Sequence, residues 1–199
     1  WVPDPPFRDT VPSYPNHRDG VVIHYPGVAS SNTIFDVAEH CRKIQFNYRN
    51  DPDRRYDIGY NFLVDQSGRI GVGRGLYRSA SQGTTQGNER YLGIQIAVDN
   101  NDGLTAPQVL AVQRLIHTLR TKHGYGNAIR GHKDIKATTC PGRQIYDWMT
   151  AGGFEPRPET WPENAVDPWA GRYGGFPRTT KPQLNGGETF NDYVRYLQG

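Results

Sequence analysis

The sequence predicts an α/β fold, and three observations predict it. A short β-branched run, Val21-Val22-Ile23-His24-Tyr25, is bounded by glycine and proline, as a buried strand is. From Thr33 to Tyr48 the apolar residues Ile34, Val37, Ala38, Cys41, Ile44 and Tyr48 recur at three- and four-residue steps, the period of an amphipathic helix. Further strand-like and helix-like segments then alternate along the chain, the pattern of a sheet covered by helices.

Each element has its own justification. Thr33 with Asp36 reads as the start of the first helix, and Asn50-Asp51-Pro52 stops it. The charged cluster Asp51, Asp53, Arg54 and Arg55 reads as a solvated loop. Tyr60 to Val64 and Arg69 to Gly73 flank Asp65-Gln66-Ser67-Gly68, a hairpin with glycine in its turn. Leu76 to Arg90 is polar and rich in Gly, Ser, Thr and Gln, and reads as a loop. Tyr91 to Val98 is apolar enough for a central strand. Thr105 and Gln108 form a capping box with Pro107 in the first turn of a helix that runs through Val109, Val112, Ile116 and Leu119 to about Gly124. His117 and His123 on this helix are read as structural. A last helix spans roughly Gly142 to Thr150.

At 199 residues, with 35% hydrophobic residues, 15 Pro and 23 Gly, the chain can bury one core and carry irregular additions. Residues 1–19 hold five prolines and read as an extended arm. Residues 20–150 carry the periodic pattern, and 151–199 is a Pro-, Gly- and aromatic-rich extension. No apolar run reaches the length of a membrane span, and no basic-then-apolar leader is visible. The start at Trp1, without methionine, suggests that a leader or upstream domain has been removed. A net charge of +3 is too small and scattered for a nucleic-acid surface. Two cysteines, Cys41 and Cys140, are too few for a disulfide framework, so both are expected to be reduced, with Cys41 in the core.

Chemistry concentrates in Arg130 to Gly142, RGHKDIKATTCPG. His132 and Cys140 offer an imidazole and a thiol, both donors that zinc accepts. A catalytic zinc takes three protein ligands, and the best third candidate is His24, at the end of the first strand, where open α/β sheets place their ligands. By spacing alone the pair reads as a surface histidine and a buried thiol rather than a metal site. Tyr60, read from its neighbours alone, is an ordinary packed tyrosine.

A wider pattern separates these readings. IHY, DIGYNFLVD, GRG, LGIQIAV, GHKD and CPG occur in the order seen in zinc-dependent N-acetylmuramoyl-L-alanine amidases, and over about Gly20 to Thr150 the chain resembles the amidase type 2 family, which includes peptidoglycan recognition proteins and phage endolysins. The resemblance implies a central mixed β-sheet of about five or six strands flanked by three main helices. It implies one catalytic Zn2+ held by His24, His132 and Cys140, with Tyr60 and Thr138 assisting hydrolysis and Tyr25 and Asn88 at the substrate. A histidine that relatives carry in the loop from Leu76 to Arg90 is replaced in this chain, with Ser81 in its place.

The expected reaction is cleavage of the amide between N-acetylmuramic acid and L-alanine in bacterial peptidoglycan, as a monomeric endolysin domain made in a host cytoplasm and released at lysis. A pI near 8.9 suits an anionic wall. A recognition module without activity is the rival from another class, although such modules typically lack a full ligand set. A muropeptide-recycling amidase would carry aspartate where this chain has Cys140, and no HExxH helix of a zinc protease is present.

Overall fold

The computed structural model describes residues 18–26, 37–50, 58–76, 78–98 and 103–158. Most of the proline-rich arm, the expected helix start at Thr33 and Asp36, the cluster at 51–55 and all of the extension beyond residue 158 lie outside the described residues. Five strands form one mixed sheet: β1 (Gly20–His24), β2 (Phe62–Val64), β3 (Ile70–Val72), β4 (Tyr91–Ile96) and β5 (Ala128–Gly131), in the order β3-β2-β4-β1-β5. β1 runs parallel to both β4 and β5, β2 runs parallel to β4, and only the β2–β3 hairpin is antiparallel. The helices are α1 (Val37–Asn50), α2 (Thr85–Arg90), α3 (Ala106–His123) and α4 (Arg143–Thr150).

Alternation along the strands sorts side chains to two faces. Val21, Ile23, Phe62, Val64, Leu92, Ile94 and Ile96 join Val112, Leu115, Ile116 and Leu119 of α3 and Ile145 and Met149 of α4 in the main core. The opposite face is covered by α1, where Val37 and Cys41 pack on Ile58 and Leu63. Gly71 lies under that helix, and a Cβ there would stand 2.7 Å from both Cys41 Sγ and Val37 Cγ2. The central strands are therefore buried on both sides, which is why their sequences read as nearly unbroken apolar runs.

Local chemistry sets the turns. Asp65 accepts from Ser67 N (2.9 Å), Ser67 Oγ (2.6 Å) and Arg69 N (3.0 Å), while Gly68 adopts a φ of +83° that disfavours other residues. The same carboxylate accepts from Val37 N at 3.2 Å, satisfying a donor in the first turn of α1 from across the sheet. The capping box of α3 forms as its sequence predicts: Thr105 Oγ1 accepts from Gln108 N (3.2 Å), and Gln108 Oε1 accepts from Thr105 N (3.0 Å). Gly124 closes α3 in the left-handed conformation, φ +68°.

Two elements depart from the sequence reading. The polar stretch expected to be all loop contains α2, because Thr84 caps a short helix by accepting from Gly87 N at 3.0 Å. β5 was not expected. Ala128 to Gly131 has one β-branched residue, and its pairing with β1 comes from tertiary context rather than propensity. Cys41 is buried as expected, and both cysteines are free. No helix among the described residues is long and apolar enough to cross a membrane.

Candidate metal centre

The site is built by two neighbouring parallel strands that end together. His24 is the last residue of β1, and His132 is the first after β5. Since β1 and β5 are adjacent and parallel, their carboxyl ends deliver the two imidazoles side by side, with ring centroids 4.4 Å apart. The chain then turns back to bring Cys140 Sγ to 3.7 Å from His24 Nδ1. The ligand atoms of His24, His132 and Cys140 all lie within 4.8 Å of one another.

The returning loop is held by its own hydrogen bonds. Ile135 N and Lys136 N donate to His132 O (each 3.0 Å), Lys133 N donates to Cys140 O (2.9 Å), and Gly142 N donates to Thr139 O (2.8 Å). Asp134 accepts from Gly131 N (2.8 Å) and from the Tyr146 hydroxyl (2.8 Å), tying the loop to β5 and α4. Gly131 leaves no space for a side chain: a Cβ would meet the Tyr146 ring at 2.8 Å. Gly87 of α2 likewise leaves room for Ile135, whose Cγ2 would stand 2.5 Å from a Cβ.

These donors fit zinc. His132 Nε2 lies 3.1 Å from the Gln82 carbonyl, which can only accept, so the ring carries its proton there and turns the Nδ1 lone pair to the site. Burial, with help from His132, holds His24 well below the usual histidine range, and burial lowers His132 as well, opposed by the Gln82 carbonyl and helped by Lys136. Both rings are thus neutral, the ligand form, near pH 7. Burial pushes the Cys140 thiol up to about 11, opposed by the Tyr25 N–H, 3.4 Å from the sulfur. Among the described residues nothing pairs with His24 Nε2, and a buried imidazole beside a buried thiol is a costly arrangement that a bound cation offsets.

The other expected residues take distinct places. The Tyr60 ring stands edge-on to His24 at 5.2 Å, and burial pushes its hydroxyl well above the usual tyrosine range, so it is a neutral donor. Thr138 is exposed, and its hydroxyl oxygen accepts from Cys140 N at 3.2 Å. The Tyr25 ring is buried in the main core against Gly142, and its backbone N–H serves the Cys140 sulfur. Asn88 Oδ1 accepts from Gln82 N, fixing the segment whose carbonyl holds His132. Ser81 is half-buried, its N–H bonded to Gly59 O at 3.0 Å.

Two contributors escaped the sequence reading. Gln82 acts through its carbonyl, which no side-chain pattern reveals. Gln95 left a signal: a carboxamide inside the apolar run LGIQIAV has to find buried partners. His40 Nε2 lies 2.6 Å from its Oε1, and its other end bonds the Tyr60 hydroxyl.

Fold and site together define a mixed-sheet α/β domain with a His/His/Cys centre at the carboxyl end of its parallel strands. The chain belongs to the N-acetylmuramoyl-L-alanine amidase family, whose pattern matches residues 14–143. It is 32% identical over 129 residues to peptidoglycan-recognition protein SC2 of Drosophila simulans, covering 63% of this chain and 69% of that protein. It is 28% identical over 135 residues to peptidoglycan-recognition protein SC1a of Drosophila melanogaster, covering 66% and 72%. Among solved structures, Drosophila PGRP-LB superposes with a TM-score of 0.65 at 21% identity, covering 73% of this chain and 87% of that one. The N-acetylmuramoyl-L-alanine amidase LysC of Clostridium intestinale superposes at 0.55 with 22% identity, covering 70% and 86%. Membership confirms the expected fold and the broad role, peptidoglycan cleavage or recognition.

Proposed function

We propose that the chain is a zinc-dependent hydrolase that cuts the amide between N-acetylmuramic acid and L-alanine, and that it serves as the monomeric amidase part of a phage endolysin, freed to the wall at host lysis. The observation that carries the hydrolase reading is the complete His24–His132–Cys140 set with the Tyr60 ring 5.2 Å from His24. When bound, zinc supplies the Lewis acidity that activates water and polarises the scissile carbonyl.

The chain's own residues account for the rest. His24, His132 and Cys140 would hold the ion, with the Gln82 carbonyl orienting His132 and the Tyr25 N–H supporting the sulfur. Tyr60, kept neutral, donates a hydrogen bond to the oxyanion that develops as the carbonyl becomes tetrahedral. Thr138 keeps its hydroxyl proton for a second bond while its oxygen braces the Cys140 amide.

The names of the relatives favour a second reading, a peptidoglycan-binding module without turnover. Digestion of purified peptidoglycan by zinc-loaded and chelated protein separates the two. Free stem peptides beginning with L-alanine, released only with metal and identified by mass spectrometry, support the hydrolase. Tight wall binding with every glycan–peptide linkage intact supports recognition.

A further inference from the structure

Gln95 faces His24 across the β1–β4 ladder, so its carboxamide lies beside a metal ligand on the sheet face that α1 covers. It is 2% exposed. A buried polar side chain on a central strand costs stability unless both its ends are bonded, and an apolar residue would serve the sheet better. Both ends are bonded. Oε1 lies 2.6 Å from Nε2 of His40, itself buried in α1, and the Gln95 side chain also hydrogen-bonds the Tyr60 hydroxyl, which in turn bonds the Tyr48 hydroxyl. Gly59 makes room for this cluster, because a Cβ there would overlap the Tyr48 ring.

The two ends of a carboxamide are unlike, so the chain has a direction. His40 donating to Oε1 commits the amide N–H to the Tyr60 oxygen. That N–H occupies a phenolic lone pair, so the Tyr60 proton points away from the carboxamide: in this structure it goes to Tyr48, and an oxyanion beside His24 is the other acceptor left to it. The opposite orientation would draw the Tyr60 proton into the carboxamide and away from the site.

We propose that Gln95, oriented by His40, is a positioning residue that aims the Tyr60 hydroxyl proton at the substrate carbonyl. This rests on the hydrolase reading for its consequence in turnover, but the orientation itself can be read without turnover.

The kinetic test uses the zinc-loaded protein with Gln95→Met, Gln95→Glu, Tyr60→Phe and the double variant Gln95→Met/Tyr60→Phe, with zinc content measured for each. Gln95→Met is expected to lower kcat about tenfold, with KM and zinc content held within about twofold. Gln95→Glu, which accepts from His40 and Tyr60 alike, should lose at least as much. In the Tyr60→Phe background, Gln95→Met should change kcat by less than about twofold, since its effect passes through the hydroxyl. An equal loss in both backgrounds, or wild-type kcat in Gln95→Met, overturns the proposal. The second readout is the nitrogen spectrum of histidine-labelled wild-type protein, which needs neither turnover nor a variant that folds. A His40 proton on Nε2 supports the stated direction, and a proton on Nδ1 overturns it. If the wild-type protein releases no peptide while His40 carries its proton on Nε2, the hydrolase reading fails and the orientation stands.

Discussion

Cys140 has a demanding environment for a thiol. Its thiol is buried enough to be pushed up to about 11, yet it faces His24 at 3.7 Å. Serine at this position keeps the size and removes the soft donor, so Cys140→Ser should weaken zinc retention by roughly a hundredfold or more, as measured by competition against a chelator. Unchanged retention would mean that the cysteine is not a ligand. His40 makes a separate prediction. Burial lowers it below the usual 6.5 despite the Gln95 hydrogen bond and the Asp65 charge, which both favour the charged ring. The unfolded chain therefore binds a proton that the folded domain refuses, and the sign follows: this contribution is full above 6.5 and is lost as pH falls through the lower folded value. Urea midpoints at about pH 7.5 and about pH 5.5 should differ more for the wild type than for His40→Gln. The candidate donors were legible because few side chains bind zinc and because the motifs that carry them are shared with the family. The second layer was not, since the Gln82 contribution is a backbone carbonyl and the Gln95 partners lie far away in sequence.

At the scale of elements, capping chemistry was the most transferable signal. Thr105, Pro107 and Gln108 write the start of α3 in local sequence, and the same threonine donates to Gln66 O at 2.7 Å, joining helix to hairpin. Thr105→Ala removes both bonds and should cost about 1–2 kcal/mol, seen as a lower denaturant midpoint with an unchanged slope. A midpoint shift smaller than error would mean that water replaces both partners. Where the cap is supplied from a distance, local reading fails. Asp65 was legible as a turn residue, but its bond to Val37 N at the start of α1 depends on a contact across the sheet. α2 is only six residues long, so its single capping threonine was hidden in a polar stretch. β5 is shorter still, and its strand character comes from lying next to β1.

At the scale of the whole molecule, the site and the fold depend on each other. β1, β5 and the loop that carries Cys140 meet at the proposed metal position, so a ligand that binds only the folded state stabilises all three together. Free zinc at about a hundred times its dissociation constant contributes about 2.7 kcal/mol, which for a domain of this size raises Tm by roughly 5–10 °C. Calorimetry of loaded and chelated protein measures this directly, and identical Tm values would rule out tight binding by the native state. What the sequence determined by itself was the α/β class, the hairpin and the α3 cap, and, through the motifs it shares with the family, three candidate metal donors. The first three rest on short-range periodicity and on turn and cap residues, and the candidate donors rest on the family motifs. What only the tertiary structure decided was the order of the strands, the pairing of β5 and the adjacency of His24 and His132, together with the buried route from His40 through Gln95 to Tyr60. The physical reason is that parallel pairing and buried hydrogen bonds join residues tens of positions apart, where no local pattern reports them.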